Sequence, residues 1–211
     1  MADTTDTALA LISLSEMATY LKVTGTTEDA VLSNLIDEVS AICNNYTGRY
    51  LLTKTHTEYY NGNGGYKLIL RNYPIRSVTS LHIGDANRSF TAAYAVTVAD
   101  DVLVQKEAGI LELWNNQSEY YKARANIKVV YSAGYNLATT APLVPYDLQL
   151  AVKKFVAYHY MNYDKKKHNV QSETIGANTV SFISKDIPDE VRATLNKYKS
   201  LYGANDFSFA D

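Results

Sequence analysis

Residues 24–49 read "TGTTEDAVLSNLIDEVSAICNNYTGR", and the pattern of the chain changes at the end of this stretch. Between Leu32 and Tyr46 the apolar residues recur at helical spacing, which predicts an amphipathic helix over residues 28–46 with one buried face. Gly48 is well placed to end this helix, because glycine readily adopts the left-handed conformation found after helix C-termini. Beyond Gly48 the spacing becomes that of strands.

From Leu52 to Ser132, runs of β-branched and aromatic residues alternate with short turn motifs. The runs read "TKTHTEYY", "YKLILR", "RSVTSLHI", "YAVTV", "VLVQ", "ILELW" and "NIKVVYS". The first two runs flank "NGNGG", whose residues tolerate positive φ, so we expect them to form a hairpin. The region therefore predicts a compact antiparallel β subdomain inserted after the helix.

Helices are also predicted on both sides of these segments. Ser13 and Glu16 have the spacing of a capping box, which predicts a short helix from about residue 14 to residue 22. Helical spacing returns over residues 146–163, and Pro188 begins a last helix that Gly203 ends. We expect the two main helices, 28–46 and 146–163, to pack through Leu35, Ile36, Val39, Ile42, Leu148, Val152 and Phe155.

The sequence thus predicts an α+β fold: a small, mostly α-helical bundle with an inserted antiparallel β subdomain, a C-terminal helix and an extended tail. The expected segments of this single domain, residues 1–211, are N-terminal helices 1–51, β subdomain 52–135, long helix 144–169, extended arm 170–186, C-terminal helix 187–202 and flexible tail 203–211.

Composition is that of an ordinary soluble chain, with 46% hydrophobic and 20% charged residues. No apolar run approaches the roughly 20 residues that cross a bilayer, and the N-terminus is acidic where a secretory signal would be basic. The net charge of −2 hides a gradient: residues 1–52 have two basic and seven acidic groups, whereas residues 145–199 have nine basic and six acidic groups. Neither end has the basic density of a nucleic-acid-binding surface.

A search for catalytic or metal-binding motifs found none with the required spacing. The chain has no G-x-S-x-G elbow, and its four histidines lack the short spacing of a metal site. Cys43, the single cysteine, lies on the apolar stripe of the first long helix and is expected in the core. We therefore predict no enzyme activity, no metal and no cofactor, and the 18 tyrosines favour a protein that binds or assembles.

Six phrases resemble, in this order, the head-to-tail connector (adaptor, head-completion) proteins of tailed bacteriophages. They are "YTGRYLLTKT" (46–55), "LRNYPIRSVTSL" (70–81), "VVYSAGY" (129–135), "VPYDLQLAVKKFVAYHY" (144–160), "SETIGANTVSFIS" (172–184) and "IPDEVRATLNKYK" (187–199). The resemblance extends over nearly the whole chain apart from the first and last ten residues. It is weakest in the β region from Leu52 to Ser132, where "AYAVTVADDVLVQKEAGILELW" (93–114) matches the family only in pattern.

The resemblance implies a structural protein without catalytic activity, assembled in the host cytoplasm and located in the neck of the virion. It implies a ring of twelve copies that docks on the portal protein of the DNA-filled capsid, extends the DNA channel and offers an attachment surface to a stopper or tail-side neck protein. DNA would pass through the channel without sequence-specific binding, and no membrane would be involved.

Two segments are the expected contacts with the portal or another partner. In residues 172–184, strand-forming side chains stand between two helical stretches with no evident strand to pair with, so they form either an arm that pairs with another chain or a loop on their own subunit. In the tail, aromatic residues follow the last helix. The expected partner-binding residues are Ile175, Val180, Phe182, Tyr202, Phe207 and Phe209.

Other functions stay open from the sequence. A stopper or tail-completion protein of the same neck is the nearest alternative. A carbohydrate- or surface-binding module would fit the tyrosine-rich β region and its "NGNGG" loop, and a hydrolase would require a nucleophile and base that the motifs do not supply.

Overall fold

The structure is a computed structural model that describes residues 10–84, 90, 95–114, 119–137, 143–164, 172–175, 178–181 and 187–200, without the side chains of 162–164, 172–175 and 178–181. In chain order its elements are α1 (Leu14–Leu21), α2 (Asp29–Thr47), β1 (Lys54–Gly62), β2 (Lys67–Ile69), β3 (Ile75–Ile83), β4 (Ala95–Val96), α3 (Val98–Asp101), β5 (Val102–Gln105), β6 (Ile110–Leu113), β7 (Ala123–Ala133), α4 (Tyr146–Asp164), β8 (Ser172–Ile175), β9 (Asn178–Ser181) and α5 (Asp189–Asn196). Helices and antiparallel sheets occur together, so the predicted α+β class is confirmed.

The chain forms two compact units. A helical unit consists of residues 1–47 and 144–199, and a β unit consists of residues 48–143 and 200–211.

In the helical unit, local signals set where the first two helices begin and end. The Ser13 hydroxyl accepts a hydrogen bond from the Glu16 amide at 3.3 Å, and the Glu16 carboxylate accepts one from the Ser13 amide at 3.2 Å. This is the predicted capping box, so two amides at the start of α1 have partners. Gly48 has φ of +70° directly after α2, as a left-handed helix terminus requires.

The core of the helical unit forms where α4 packs against α1, α2 and α5. Its buried side chains include Met17, Leu32, Ile36, Val39, Cys43, Leu148, Val152, Phe155, Val156, Val191 and Leu195. Of the seven residues predicted to pack the two long helices, Leu35 and Ile42 are only half-buried. These two residues are seven apart, so they share one side of α2, at the margin of its buried face.

The last helix is shorter than predicted: α5 ends at Asn196 and not at residue 202. The amides of Lys197 and Tyr198 bond to carbonyls three residues back, which tightens the chain into a final turn. The Tyr198 hydroxyl then donates to the carboxylate of Asp147, near the start of α4. Gly203, the predicted end of this helix, lies outside the described residues.

The β unit contains two antiparallel sheets. A four-stranded sheet has the order β1-β7-β3-β4, and a three-stranded sheet, called here the small sheet, has the order β2-β6-β5. Side chains from both sheets form a single buried cluster that includes Tyr60, Leu68, Leu81, Leu111, Tyr120, Val129 and Tyr131. The predicted run "YAVTV" is divided, since Ala95 and Val96 form β4 while Val98 begins α3.

The expected hairpin between the first two strands is wrong, because β1 pairs with β7 and β2 pairs with β6. Two asparagine side chains strengthen the link between the end of β1 and β7. The Asn126 side chain accepts from the Gly62 amide at 2.8 Å, and the Asn61 side chain accepts from the Ala125 amide at 2.7 Å, so both join β1 to β7. At Gly62 a Cβ atom would lie 1.8 Å from the carbonyl oxygen of Tyr121, so only glycine fits this crossing.

Residues 172–181 also differ from the expectation that their strand-forming residues lack a partner in the chain. β8 and β9 pair with each other as an antiparallel two-stranded sheet, with Ser172 opposite Ser181 and Ile175 opposite Asn178.

Candidate functional site

A polar network in the β unit joins the carboxylate of Glu58 to two buried tyrosines and a buried asparagine. One oxygen of the Glu58 carboxylate accepts hydrogen bonds from the hydroxyls of Tyr60 and Tyr131, the latter at 2.7 Å. Its other oxygen accepts from the Asn72 side chain at 3.0 Å. The two hydroxyls in turn accept from the backbone amides of Arg71 and Asn72. The network therefore joins residues 71–72 to the four-stranded sheet.

The protonation behaviour of this network fits a structural role. Burial is the main cause that raises the pKa of Tyr60 and of Tyr131, and the nearby Glu58 carboxylate raises both further. Phenols with raised pKa values stay protonated and keep donating to the carboxylate. Such groups are poor general bases at neutral pH. The geometry therefore favours a structural hydrogen-bond network over one that transfers protons.

His56 lies beside the network with the ring of Tyr131 5.4 Å away. Burial lowers its pKa, a shift that the neighbouring Glu58 partly opposes. Its Nε2 atom is buried with no hydrogen-bond partner among the described residues. The imidazole is thus held neutral in the core, in agreement with its placement on a predicted strand.

Within the described residues, no group of histidine, cysteine, aspartate and glutamate side chains could hold a metal ion. Over the same residues, no helix is both long and apolar enough to cross a membrane. The thiol of Cys43 is buried, as predicted, and burial raises its pKa to about 12. A thiol with so high a pKa is a poor nucleophile, so Cys43 behaves as a core residue.

The structure describes the backbone of only two of the six predicted partner-binding residues. Ile175 lies in β8 and Val180 lies in β9, opposite Glu173. Phe182, Tyr202, Phe207 and Phe209 lie outside the described residues. Their role in partner binding stays a prediction.

One exposed apolar surface was missed by the sequence analysis: the outer face of the small sheet. In the register of the small sheet, Ile69 lies directly opposite Ile110. Leu103 lies opposite Glu112, two residues after Ile110, and is therefore on the same face. Trp114 lies two residues after Glu112 and follows the same alternation of sides. Trp114 is 65% exposed, Leu103 53% and Ile69 41%, while Ile110 is half-buried. We call these four residues the small-sheet face. The polar groups between them are the ion pair of Lys67 and Glu112 at 3.5 Å and the side chain of Gln105, which donates to Glu112 at 3.0 Å.

A signal for this face was present in the alternation of "VLVQ" and "ILELW", where Leu103, Ile110 and Trp114 alternate with buried or half-buried neighbours. Apolar residues occupy both sides of these strands, so the pattern alone does not show which side faces the core.

A comparison with protein-family models shows which family the chain belongs to. The family model described as "Head completion protein" matches residues 10–201. The chain belongs to the head completion protein family. Membership confirms the identification made from the sequence and assigns this head completion protein a structural role in the virion. Among curated proteins, none matches the chain.

Three solved structures share the fold of this head completion protein. One is described as the neck of an empty gene transfer agent particle computed with C6 symmetry; its chain is 16% identical, with a TM-score of 0.60 and 96% of each chain covered. The others come from the virion of the native particle and from its neck computed with C12 symmetry. Both are 17% identical, with a TM-score of 0.59 and the same coverage. At this identity the likeness establishes the fold alone.

Proposed function

We propose that the protein is a structural adaptor of the phage neck, a ring that docks on the portal protein of the DNA-filled head. The ring extends the DNA channel and presents the attachment surface for the next neck or tail component. The observation that carries this proposal is the family match over residues 10–201. Additional support comes from the fold, which is shared with chains of particle necks computed with six-fold and twelve-fold symmetry. An adaptor of this kind catalyses no reaction.

A ring requires two different surfaces on each copy. A cyclic assembly larger than a dimer closes through a head-to-tail interface, in which one patch of a subunit contacts a second, different patch of its neighbour. A protein that docks on a portal and receives a tail component needs further contacts at both ends of the ring. Several separate contact segments are therefore expected on this chain.

The hairpin of β8 and β9 supplies one such segment. A two-stranded hairpin is at best marginally stable alone in water, and each strand has an outer backbone edge that no strand among the described residues covers. Such an edge pairs readily with a strand of another chain. We assign Ile175 and Val180 in the hairpin, together with Phe182 after it, to contact with the portal or a neighbouring subunit.

The C-terminal tail supplies the second segment. Tyr202, Phe207 and Phe209 follow the last helix in sequence, and buried aromatic residues dominate many binding interfaces. Each aromatic that enters a pocket on the portal would contribute about 2 kcal/mol or more. Engagement of many subunits at once multiplies the effect of a modest contact.

Deletion of residues 203–211 tests the tail contact. The truncated protein should fold, as judged by circular dichroism, but should be incorporated poorly into DNA-filled heads and should leave them unsealed. The full-length variant Ser208→Ala is the matched control, because it changes the tail and keeps both phenylalanines. Normal incorporation and infectivity of the truncated protein would show that the portal contact lies elsewhere.

The order of binding separates an adaptor from a stopper of the same neck. DNA-filled heads assembled without this protein should bind the purified chain directly through their exposed portal. Binding that occurs only after another neck protein has been added would contradict the adaptor role and favour the stopper alternative.

A further inference from the structure

The hairpin of β8 and β9 stands apart from the packing of its own chain. Each strand has four residues, and among the described residues the two strands pair only with each other. Over the same residues, neither strand makes extensive contact with a helix or with another sheet. A two-stranded sheet of this size is at best marginally stable in water, so the hairpin is an element that another chain would complete.

The register of the hairpin shows which of its backbone groups point outward. Ile175 and Asn178 lie opposite each other and only two residues separate them, so this pair exchanges its backbone hydrogen bonds across the hairpin. Because hydrogen-bonded and non-hydrogen-bonded pairs alternate in an antiparallel sheet, Glu173 and Val180 also bond inward. The outward amides and carbonyls are those of Ser172 and Thr174 on the β8 edge and of Thr179 and Ser181 on the β9 edge.

The β8 edge and the β9 edge are different patches with matching chemistry. Each has two outward residues, and each such residue offers one amide donor and one carbonyl acceptor at the spacing of an antiparallel strand. The β9 edge of one copy can therefore add to the β8 edge of another, with at most four hydrogen bonds between the two copies. So few bonds give a weak contact, which becomes effective where many copies are held together.

Cyclic symmetry brings these two different edges together. Each subunit of a ring contacts its neighbours through two different patches. Rotation about the ring axis leaves every β8 strand pointing one way along that axis and every β9 strand the other way, so β9 of one copy and β8 of the next are antiparallel. A contact of β8 with β8 requires a two-fold axis and leaves both β9 edges unpaired. Pairing of β9 with β8 therefore uses both edges in every copy of a ring.

We propose that the hairpins of neighbouring subunits pair edge to edge, β9 of one copy with β8 of the next, and that the ring closes them into a continuous antiparallel barrel. The occupant of each edge is a second copy of this chain. Closure leaves no strand edge free, which removes the liability of the isolated hairpin. This pairing rests on the proposed ring and specifies which surface of the neighbouring subunit the hairpin contacts.

The dimensions of such a barrel suit a DNA channel. With strands about 4.8 Å apart, the roughly 24 strands of a ring of about twelve copies give a diameter of about 37 Å between backbones, before strand tilt widens it. Barrels of about 16–18 strands already leave an aqueous channel. Neither strand of the hairpin contains lysine or arginine, so the barrel offers no cationic group to hold the phosphates of passing DNA.

Cross-linking on DNA-filled heads tests the pairing. Each variant has one introduced cysteine, on the β8 edge or on the β9 edge, and the native Cys43 is buried. A mixture of a β8-edge variant with a β9-edge variant should give an intermolecular disulfide on oxidation in at least one of the four combinations, which cover a register shift of two residues. The variants are Ser172→Cys and Thr174→Cys for β8, and Thr179→Cys and Ser181→Cys for β9.

The single variants are the matched controls for this cross-link. Equivalent strands of neighbouring copies are separated by two strand spacings, about 10 Å, which is beyond the reach of a disulfide. Each variant assembled alone should therefore give at most one-tenth of the dimer found in the best mixture.

A proline on the β9 edge tests whether the contact uses the backbone. Thr179→Pro removes an outward amide and keeps the two inward pairs of the hairpin, so the free protein should fold normally by circular dichroism. Its incorporation into DNA-filled heads should fall at least fivefold. Thr179→Val is the matched control, because it keeps the amide and a β-branched side chain, and it should be incorporated at the wild-type level.

Three outcomes would overturn the pairing and leave the adaptor role intact. The first is the absence of dimer from all four mixtures, although the variants are incorporated normally. The second is a dimer from a single variant alone in the amount given by the mixtures, which would indicate a two-fold contact between like edges. The third is equal incorporation of Thr179→Pro and Thr179→Val. Failure of the wild-type protein to bind DNA-filled heads would instead contradict the adaptor role on which the pairing rests.

Discussion

At the scale of single residues, the network around Glu58 explains why a carboxylate can lie half-buried in the β unit. Its oxygens have donors from Tyr60, Tyr131 and Asn72, which replace the water lost on folding. Removing the Tyr131 hydroxyl takes one donor from the Glu58 carboxylate and leaves the Asn72 amide without its acceptor, and an unsatisfied buried group costs more than the hydrogen bond itself contributes.

The first prediction compares two buried tyrosines of the β unit. Tyr131→Phe removes a donor to Glu58 and an acceptor for the Asn72 amide, so it should lower the free energy of unfolding by about 1–3 kcal/mol. Tyr120→Phe removes only a hydrogen bond to the Leu111 carbonyl at 3.3 Å, so it should cost about 0.5–1.5 kcal/mol. Urea unfolding measures both values. A larger loss for Tyr120→Phe would contradict the role of the network.

A second prediction follows from the lowered pKa of His56. Because the folded protein holds this histidine neutral, the unfolded chain binds a proton more readily, and the stability that His56 contributes is present above its unfolded pKa near 6.5. That stability should fall as the pH decreases below about 6.5 toward the folded pKa. Urea unfolding of the wild-type protein and of His56→Gln checks this. The measurements should run from neutral pH to just below the pKa of a free histidine. Identical pH slopes for the two proteins would show that His56 is not the titrating group.

At the scale of elements, α4 organises the helical unit, because its buried residues face three other helices.

The third prediction compares two aromatic residues of this helix. Phe155→Ala should cost roughly 3–5 kcal/mol, since Phe155 is fully buried and the change leaves a cavity. Tyr146→Ala should change stability by less than about 0.5 kcal/mol, because Tyr146 is 76% exposed. Thermal or urea unfolding gives both values, and a cost below about 1 kcal/mol at Phe155 would mean that the stripe is not core.

The helices could be predicted well from sequence because their determinants are local. Ser13, Glu16 and Gly48 act within one turn of the helix ends that they fix, and the spacing of Ile36, Val39 and Cys43 marks the buried face. The end of α5 was misplaced because its apolar spacing continues to Tyr198 and Tyr202, while a hydrogen bond from Tyr198 to the distant Asp147 accompanies the tighter turn.

Strand pairing could not be predicted in the same way, because the partners are far apart in sequence. β1 pairs with a strand more than sixty residues later, and the side chains of Asn61 and Asn126 add hydrogen bonds at the end of this pairing. A turn motif such as "NGNGG" signals a reversal of the chain, but it does not specify whether the next strand joins the same sheet. The small-sheet face was missed for a related reason. Because β5 and β6 have apolar residues on both sides, the sequence pattern does not show which side faces the solvent.

At the scale of the whole molecule, the proposed adaptor role requires a chain that folds as a single copy and then assembles on the head. Its two units each have a substantial apolar core, so a folded monomer is feasible without a partner. Residues 1–52 have an acidic excess and residues 145–199 a basic excess, and opposite charges of this kind on two copies would attract one another weakly.

The last prediction concerns oligomeric state. Purified protein should be a monomer or a weak oligomer at low concentration, and its association should rise with concentration and fall with added salt, because exposed charges are screened over about 8 Å at physiological ionic strength. Under the proposed adaptor role, a ring that closed before reaching the head would not dock selectively on a filled capsid, so the proposal predicts weak association in solution. Sedimentation velocity over a range of protein and salt concentrations measures this, and oligomers should be cyclic, since only a head-to-tail interface closes into a ring of more than two copies. A two-fold dimer at every concentration, found also in the virion, would contradict the ring, because its self-complementary interface would leave no free patch for a third subunit.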